Sequence, residues 1–138
     1  MIKAEGKTNK SRFAILLIGD ILTIALVTVV GFATHQELGT AGWRMLTTFI
    51  PVLIAWGLVA PFLGAYDLQR IAQLRQLWRP FWAAILAAPM AGWIRGVWLG
   101  QVILPVFVFV LGGITALAIL IWRALFWIIF LGRRTPDG

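Results

Sequence analysis

Residues 13–33, FAILLIGDILTIALVTVVGFA, form an apolar run of 21 positions that contains one carboxylate, Asp20. As an α-helix this run is about 30 Å long, which matches the hydrocarbon core of a bilayer. A cleaved signal peptide has a shorter apolar region and a small-residue cleavage site after it. We therefore interpret the run as a retained membrane anchor.

Three further apolar runs follow the first one. The predicted spans are residues 13–33, 43–65, 81–99 and 102–125. The sequence predicts an all-α, integral membrane four-helix bundle over residues 13–132, with a disordered basic tail at 1–12 and a second tail at 133–138. Apolar residues within 66–80 recur at helical spacing, which predicts a short amphipathic helix on the membrane surface.

The composition excludes most soluble functions. Of the 138 residues, 61% are hydrophobic and 12% are charged, against about 45–50% and about 25% in soluble domains. The net charge of +7 does not indicate nucleic-acid binding, because the cations flank the apolar runs. With no cysteine and one histidine, the chain lacks the ligands for disulfides or a structural zinc site, and we expect no metal or cofactor.

The distribution of cations predicts the orientation of the chain. The N-terminal tail has four Lys or Arg residues, the segment before the third span has three, and the C-terminal tail has two. The opposite side has only Arg44. Cytoplasmic loops carry the excess of Lys and Arg, so both termini are predicted to be cytoplasmic.

Asp20 is the first candidate for a functional side chain. A carboxylate at this depth is costly unless it is paired, neutral or in contact with water. Arg95 and Arg123 are its candidate partners, and we favour Arg123 because the two depths agree if the fourth helix extends to Arg133. Such a charge site is either a structural ion pair or a proton or cation relay. His35 and Glu37 are candidate polar residues at the outer end of the first span.

The third span contains small residues at every fourth position. They are Ala84, Ala88, Gly92, Gly96 and Gly100. Small residues at this spacing allow two helix backbones to approach closely, so we predict a tight helix contact. The pattern leaves open whether the partner helix belongs to the same chain, to a second copy or to another membrane protein.

Four short motifs resemble the prokaryotic membrane family known as domain of unknown function 3054. They are GDILTIALVTVVGFATHQ (19–36), TFIPVLIAWGL (48–58), GWIRGV (92–97) and WR (122–123). The resemblance covers about residues 15–125 and implies a small four-span protein with no assigned activity. It also assigns signature positions to Asp20, His35, Pro51, Trp56, Arg95, Trp122 and Arg123. Where the family often has an arginine before the histidine, this chain has Phe32-Ala33-Thr34.

For function, the sequence favours a non-catalytic accessory or scaffolding subunit of a membrane assembly. The alternative is a small oligomeric transporter or channel that uses Asp20 with Arg95 or Arg123. An enzyme or a pigment-binding protein is the third class, but no nucleophile–base or metal constellation supports catalysis. The short loops and the basic cytoplasmic side suit a multi-pass protein of the prokaryotic plasma membrane. The expected partners are the lipid bilayer and, through the third span, a second copy of the chain or another membrane protein.

Overall fold

The computed structural model describes residues 2–34 and 38–132, so the candidate residues His35 and Glu37 and the tail 133–138 lie outside the described residues. The described part of the chain is helical and contains no strand. Its elements are α1 (Ile2–Thr34), α2 (Leu38–Phe62), α3 (Leu68–Ile71), a 3₁₀ turn (Leu74–Gln76), α4 (Trp78–Leu99), α5 (Pro105–Phe126) and a π-helical turn (Trp127–Leu131).

Within the described residues, four helical segments are long and apolar enough to cross a membrane. They cover Lys3–Thr34, Ala41–Phe62, Leu74–Leu99 and Pro105–Leu131. In space, α1 packs against α2 and α5, and α4 packs against the same two helices. This arrangement confirms the predicted all-α membrane four-helix bundle. The cytoplasmic placement of the termini stays a prediction.

The core of the bundle consists largely of alanine. On α4 alone Ala83, Ala84, Ala87, Ala88 and Ala91 are buried. Lipid tails are as apolar as leucine, so apolar side chains gain little by leaving lipid for a protein interior. Close van der Waals packing between backbones takes over part of that role, and small side chains make it possible.

The small-residue pattern of α4 packs against α5 and against the residues just before α5 in the same chain. A Cβ added at Gly112 of α5 would lie 2.8 Å from the Cβ of Ala88. One added at Gly92 would lie 3.0 Å from Val108 Cγ2, and one added at Gly96 would lie 2.9 Å from Ile103 Cδ1. The middle of the pattern is therefore occupied by an internal contact, and a contact of the third span with a second copy or another membrane protein stays a prediction.

The basic segment 1–12 is predicted as a disordered tail, but its described residues, 2–12, are the beginning of α1. The helix starts at Ile2, and the side chains of residues 3–11 are exposed. Thr8 Oγ1 donates a hydrogen bond to the carbonyl of Ala4 in this region. Extending an existing helix adds one backbone bond for each residue ordered, so the apolar part of α1 supports helical structure beyond the span.

The prediction of one amphipathic helix over 66–80 is also wrong. Only Leu68–Ile71 and Leu74–Gln76 are helical before α4 begins, because Gln73 is extended (φ −107°, ψ 120°). The Asp67 side chain accepts a hydrogen bond from the backbone N–H of Gln69 and caps the first of these pieces. Local caps of this kind compete with one continuous helix.

The fourth apolar run becomes helical later than predicted. Gly100 ends α4 in the left-handed conformation (φ 60°), and α5 starts at Pro105 with Leu104 extended before it. The residue before a proline is disfavoured in the helical region, which explains this start. Helical structure then continues to Leu131, so Arg123 lies within the fourth helical segment and not at its end.

Two adjacent glycines of α5 provide a test of the internal α4–α5 contact. Gly112→Ala should lower the free energy of unfolding by about 1–3 kcal/mol, because the new methyl group overlaps Ala88. Gly113→Ala is the matched control, since a Cβ there meets nothing within 4 Å. Because alanine favours a helix more than glycine does, Gly113→Ala should leave the free energy of unfolding unchanged or raise it by up to about 1 kcal/mol. The measurement is detergent-induced unfolding of both variants, and equal stabilities would contradict this packing.

Candidate functional site

The candidate site is centred on Asp20, in the interior of α1. Its side chain is fully buried, and it lies within one of the four helical segments that are apolar enough to cross a membrane. Two side chains from distant parts of the sequence donate hydrogen bonds to its carboxylate, Arg123 from α5 and Tyr66 from the segment after α2. The cost of burying this charge is therefore offset by an opposite charge and by direct hydrogen bonds.

Arg123 binds the carboxylate with two nitrogens. Its Nε lies 3.1 Å from Asp20 Oδ1, and its Nη2 lies 2.7 Å from Asp20 Oδ2. This is the side-by-side geometry in which a guanidinium pairs most strongly with a carboxylate. The third nitrogen, Nη1, donates to the carbonyl oxygen of Ala65 at 2.7 Å. All three guanidinium nitrogens therefore have acceptors, although Arg123 is only 3% exposed.

Tyr66 extends the cluster towards α2. Its hydroxyl donates to Asp20 Oδ2 and accepts a hydrogen bond from Trp56 Nε1 at 2.8 Å. The Tyr66 ring also lies beside the Arg123 guanidinium, with 5.0 Å between Cζ and the ring centroid. Asp20, Arg123, Tyr66 and Trp56 thus form one polar cluster that links α1, α2 and α5, which we call the Asp20 cluster.

The end of α2 determines where Tyr66 lies. Ala65 N–H donates to the carbonyl of Ala60, and Gly64 N–H donates to that of Pro61. This pair of bonds is the Schellman motif, which requires a left-handed residue, and Gly64 supplies it with φ 72°. Ala65 and Tyr66 follow at once, so the helix end places both the carbonyl that binds Arg123 and the phenol that binds Asp20.

Two further side chains hold the segment after α2 in place. Arg79 Nη1 donates to the carbonyl of Leu63 at 2.8 Å, and Trp127 Nε1 donates to that of Ala72 at 3.1 Å. Backbone carbonyls released at a helix end need such donors when water is scarce. The connection between α2 and α4 is therefore fixed by side chains of α4 and of the C-terminal helical segment.

A profile described as "Protein of unknown function (DUF3054)" matches residues 17–126. The chain belongs to this family. The match confirms the resemblance seen in the motifs. No curated protein matches the chain. No solved structure matches it either.

The structure brings together some of the positions that the resemblance assigned to the DUF3054 signature. Asp20, Trp56 and Arg123 belong to the Asp20 cluster. Trp122 packs beside it, since a Cβ at Gly19 would overlap its indole ring. His35 lies outside the described residues. The role of these residues in any activity stays a prediction.

Arg95, the other predicted partner of Asp20, lies elsewhere in this DUF3054 protein. Its guanidinium is 5.2 Å from the ring centroid of Phe107, near the start of α5. It lines a cavity of about 320 Å³ together with Arg44 and residues of all four long helices. The three predicted charge-site residues therefore divide into the Asp20–Arg123 pair and a separate arginine.

Sequence reasoning missed Tyr66. It is the only tyrosine of the chain, and its position after the second apolar run gave it no apparent role. Its partner Trp56 was noted only as a signature position of the family. A phenol and an indole at the depth of a buried carboxylate are a usable signal, because both need a hydrogen-bond partner when they are buried.

The Asp20–Arg123 pair should be coupled in a double-mutant cycle. Asp20→Asn or Arg123→Gln alone leaves one uncompensated buried charge and should lower stability by about 3–5 kcal/mol. The double variant should lose less than the sum. The exposed Asp67–Arg70 pair, whose side chains are 41% and 48% exposed, is the control and should change stability by about 1 kcal/mol or less. Additive losses at Asp20 and Arg123 would contradict the pairing.

The single tyrosine permits a direct test of the Asp20 cluster. Burial, together with the neighbouring Asp20 carboxylate, raises the pKa of Tyr66 above its ordinary value of about 10. The folded protein should therefore show tyrosinate absorbance at higher pH than the denatured chain. Stability should fall as the pH rises above about 10, because only the unfolded tyrosine has released its proton there.

The same titration distinguishes the two causes of the raised Tyr66 pKa. Asp20→Asn removes the charge but leaves the tyrosine half-buried, so the titration midpoint should move down towards the ordinary value. Asp67→Asn, at the neighbouring exposed carboxylate, is the control and should leave the midpoint in place. An unchanged midpoint in Asp20→Asn would show that the carboxylate does not act on Tyr66.

Proposed function

We propose that this DUF3054 protein is a non-catalytic accessory or scaffolding subunit of a membrane assembly. Its place is the prokaryotic plasma membrane, with both termini in the cytoplasm. The observation that carries the proposal is the hydrogen bonding of the Asp20 cluster to itself and to the backbone. The carboxylate binds Arg123 and Tyr66, and every nitrogen of Arg123 has an acceptor, so these charged groups hold the fold together.

The surroundings of the cluster favour a structural role over a relay. A relay carboxylate must exchange protons or cations with water or with a neighbouring carrier. Asp20 is fully buried. The cavity beside Arg123 holds only about 10 Å³, which is at the lower limit for a single water molecule. The larger cavity beside Trp56 and Tyr66, of about 480 Å³, has no charged residue among the described residues that line it. The transporter or channel alternative would need a second conformation in which Asp20 is released from Arg123.

The short connections between the long helices also support a non-catalytic role. The longest described connection, residues 63–77, is bound through its carbonyls to Arg79, Arg123 and Trp127. A soluble active site would need a longer loop or an added domain. The apolar outer faces of the helices are the surface that remains for lipids or for a neighbouring membrane protein.

Gentle release of the tagged protein from its own membrane, followed by native mass spectrometry, tests the accessory role. We expect a stoichiometric complex with another membrane protein. A bare monomer would contradict the proposal. A homo-oligomer would favour the alternative, and proton or potassium flux into liposomes would then decide it. Flux that Asp20→Asn abolishes while Asp67→Asn retains it would establish the transporter.

A further inference from the structure

The cavity that contains Arg95 lies at the opposite end of the bundle from the Asp20 cluster. Arg44 is near the start of α2 and Phe107 near the start of α5, whereas Tyr66 follows the end of α2. All four long helices line the cavity, which has a volume of about 320 Å³. A volume of this size lies at the lower end of the range for small-molecule sites.

Arg95 is half-buried, and one of its guanidinium nitrogens has no acceptor in the part of the protein that the structure describes. Its Nε is buried and has no hydrogen-bond partner among the described residues. The Arg95 guanidinium lies over the face of the Phe107 ring. Arg123 provides the comparison, because all three of its nitrogens have acceptors. A buried guanidinium nitrogen without an acceptor is costly, so this site favours an added acceptor.

The electrostatics of the cavity favour an anion. Arg95 brings a positive charge to it, and a second arginine, Arg44, also lines it. No carboxylate is among the described residues that line it. Thr28 and Thr48 also line it, but their hydroxyls donate to the carbonyls of Ile24 and Arg44. Arg95, whose Nε lacks an acceptor among the described residues, is therefore the side chain placed to donate to a bound oxyanion.

We propose that this cavity is a binding site for a phosphate-type oxyanion, held by Arg95. A guanidinium offers parallel N–H groups that match two oxygens of a phosphate. Binding supplies Arg95 Nε with the acceptor that it lacks in the described part of the chain. The site is independent of the scaffold role, because it shares no residue with the Asp20 cluster.

The rim of the cavity identifies the preferred source of this anion. Val110 and Ile114 of α5 line it and are 53% and 49% exposed on the outer surface of the bundle. In a bilayer this surface faces acyl chains. A phospholipid with an anionic headgroup can place its phosphate near Arg95 and its chains along α5. Free phosphate has the same oxyanion chemistry but gains nothing from the apolar rim.

Ligand-dependent stability of the full-length protein in a neutral detergent tests the site. Tryptophan fluorescence reports thermal unfolding while short-chain phosphatidylglycerol, short-chain phosphatidylcholine or inorganic phosphate is titrated. A ligand that binds only the folded state raises the unfolding temperature in a saturable way. We expect a saturable rise with phosphatidylglycerol, a much smaller one with phosphate, and none of comparable size with phosphatidylcholine.

Three variants locate the effect. Arg95→Gln should weaken phosphatidylglycerol binding about tenfold or more, the loss expected for a charged hydrogen bond. Arg95→Lys keeps the charge but loses the paired N–H groups, so its affinity should be intermediate. Arg75→Gln removes the same charge from an exposed position in the α2–α4 connection and should bind like the unaltered protein. Native mass spectrometry of the unaltered protein shows, without any variant, whether it carries an anionic lipid in preference to a neutral one.

Each outcome has a definite meaning. Equal stabilisation by phosphatidylglycerol and inorganic phosphate, lost in Arg95→Gln, would support the oxyanion site and identify a free anion as its ligand. Equal effects of phosphatidylglycerol and phosphatidylcholine would overturn the proposal. It would also be overturned if Arg75→Gln weakened binding as much as Arg95→Gln, or if the unaltered protein carried no anionic lipid in preference to a neutral one.

Discussion

The structure depends on the pairing of one buried carboxylate with one buried arginine. An apolar medium offers no water to either charge, so Asp20 and Arg123 are tolerable only in contact. Their two-nitrogen contact sets the relative depth and rotation of α1 and α5. The remaining guanidinium nitrogen binds Ala65, so the same arginine also fixes the end of α2. One side chain thereby links three of the four spanning helices.

Polar contacts and small residues contribute to this bundle in different ways. Alanine and glycine let α4 approach its neighbours closely, but a smooth alanine face defines depth only loosely. The Asp20 cluster supplies directional bonds that hold in one arrangement. The close packing of alanine and glycine holds the helices together, while the buried hydrogen bonds select the register of the helices. The division explains why a chain with so apolar a composition retains charged residues inside it.

Much of the fold follows from the sequence because a membrane restricts the possible structures. Apolar run lengths predict four spanning helices, and the cost of a buried charge predicts a partner for Asp20. The segment after α2 was not predictable in the same way, because its shape comes from tertiary hydrogen bonds to Arg79, Arg123 and Trp127. The α4 pattern was intermediate, since small residues indicate a close contact but carry no information about the partner helix.

The two ends of the bundle give a buried or half-buried arginine opposite surroundings. At Arg123 the fold supplies every acceptor, so no ligand is needed, and the residue is explained by the structure it stabilises. At Arg95 the described part of the fold supplies an aromatic face but leaves Nε without an acceptor. A residue kept only for stability gains nothing from such surroundings. The contrast places the architecture of this DUF3054 protein at the Asp20 cluster, and it makes the cavity around Arg95 the place to look for a ligand.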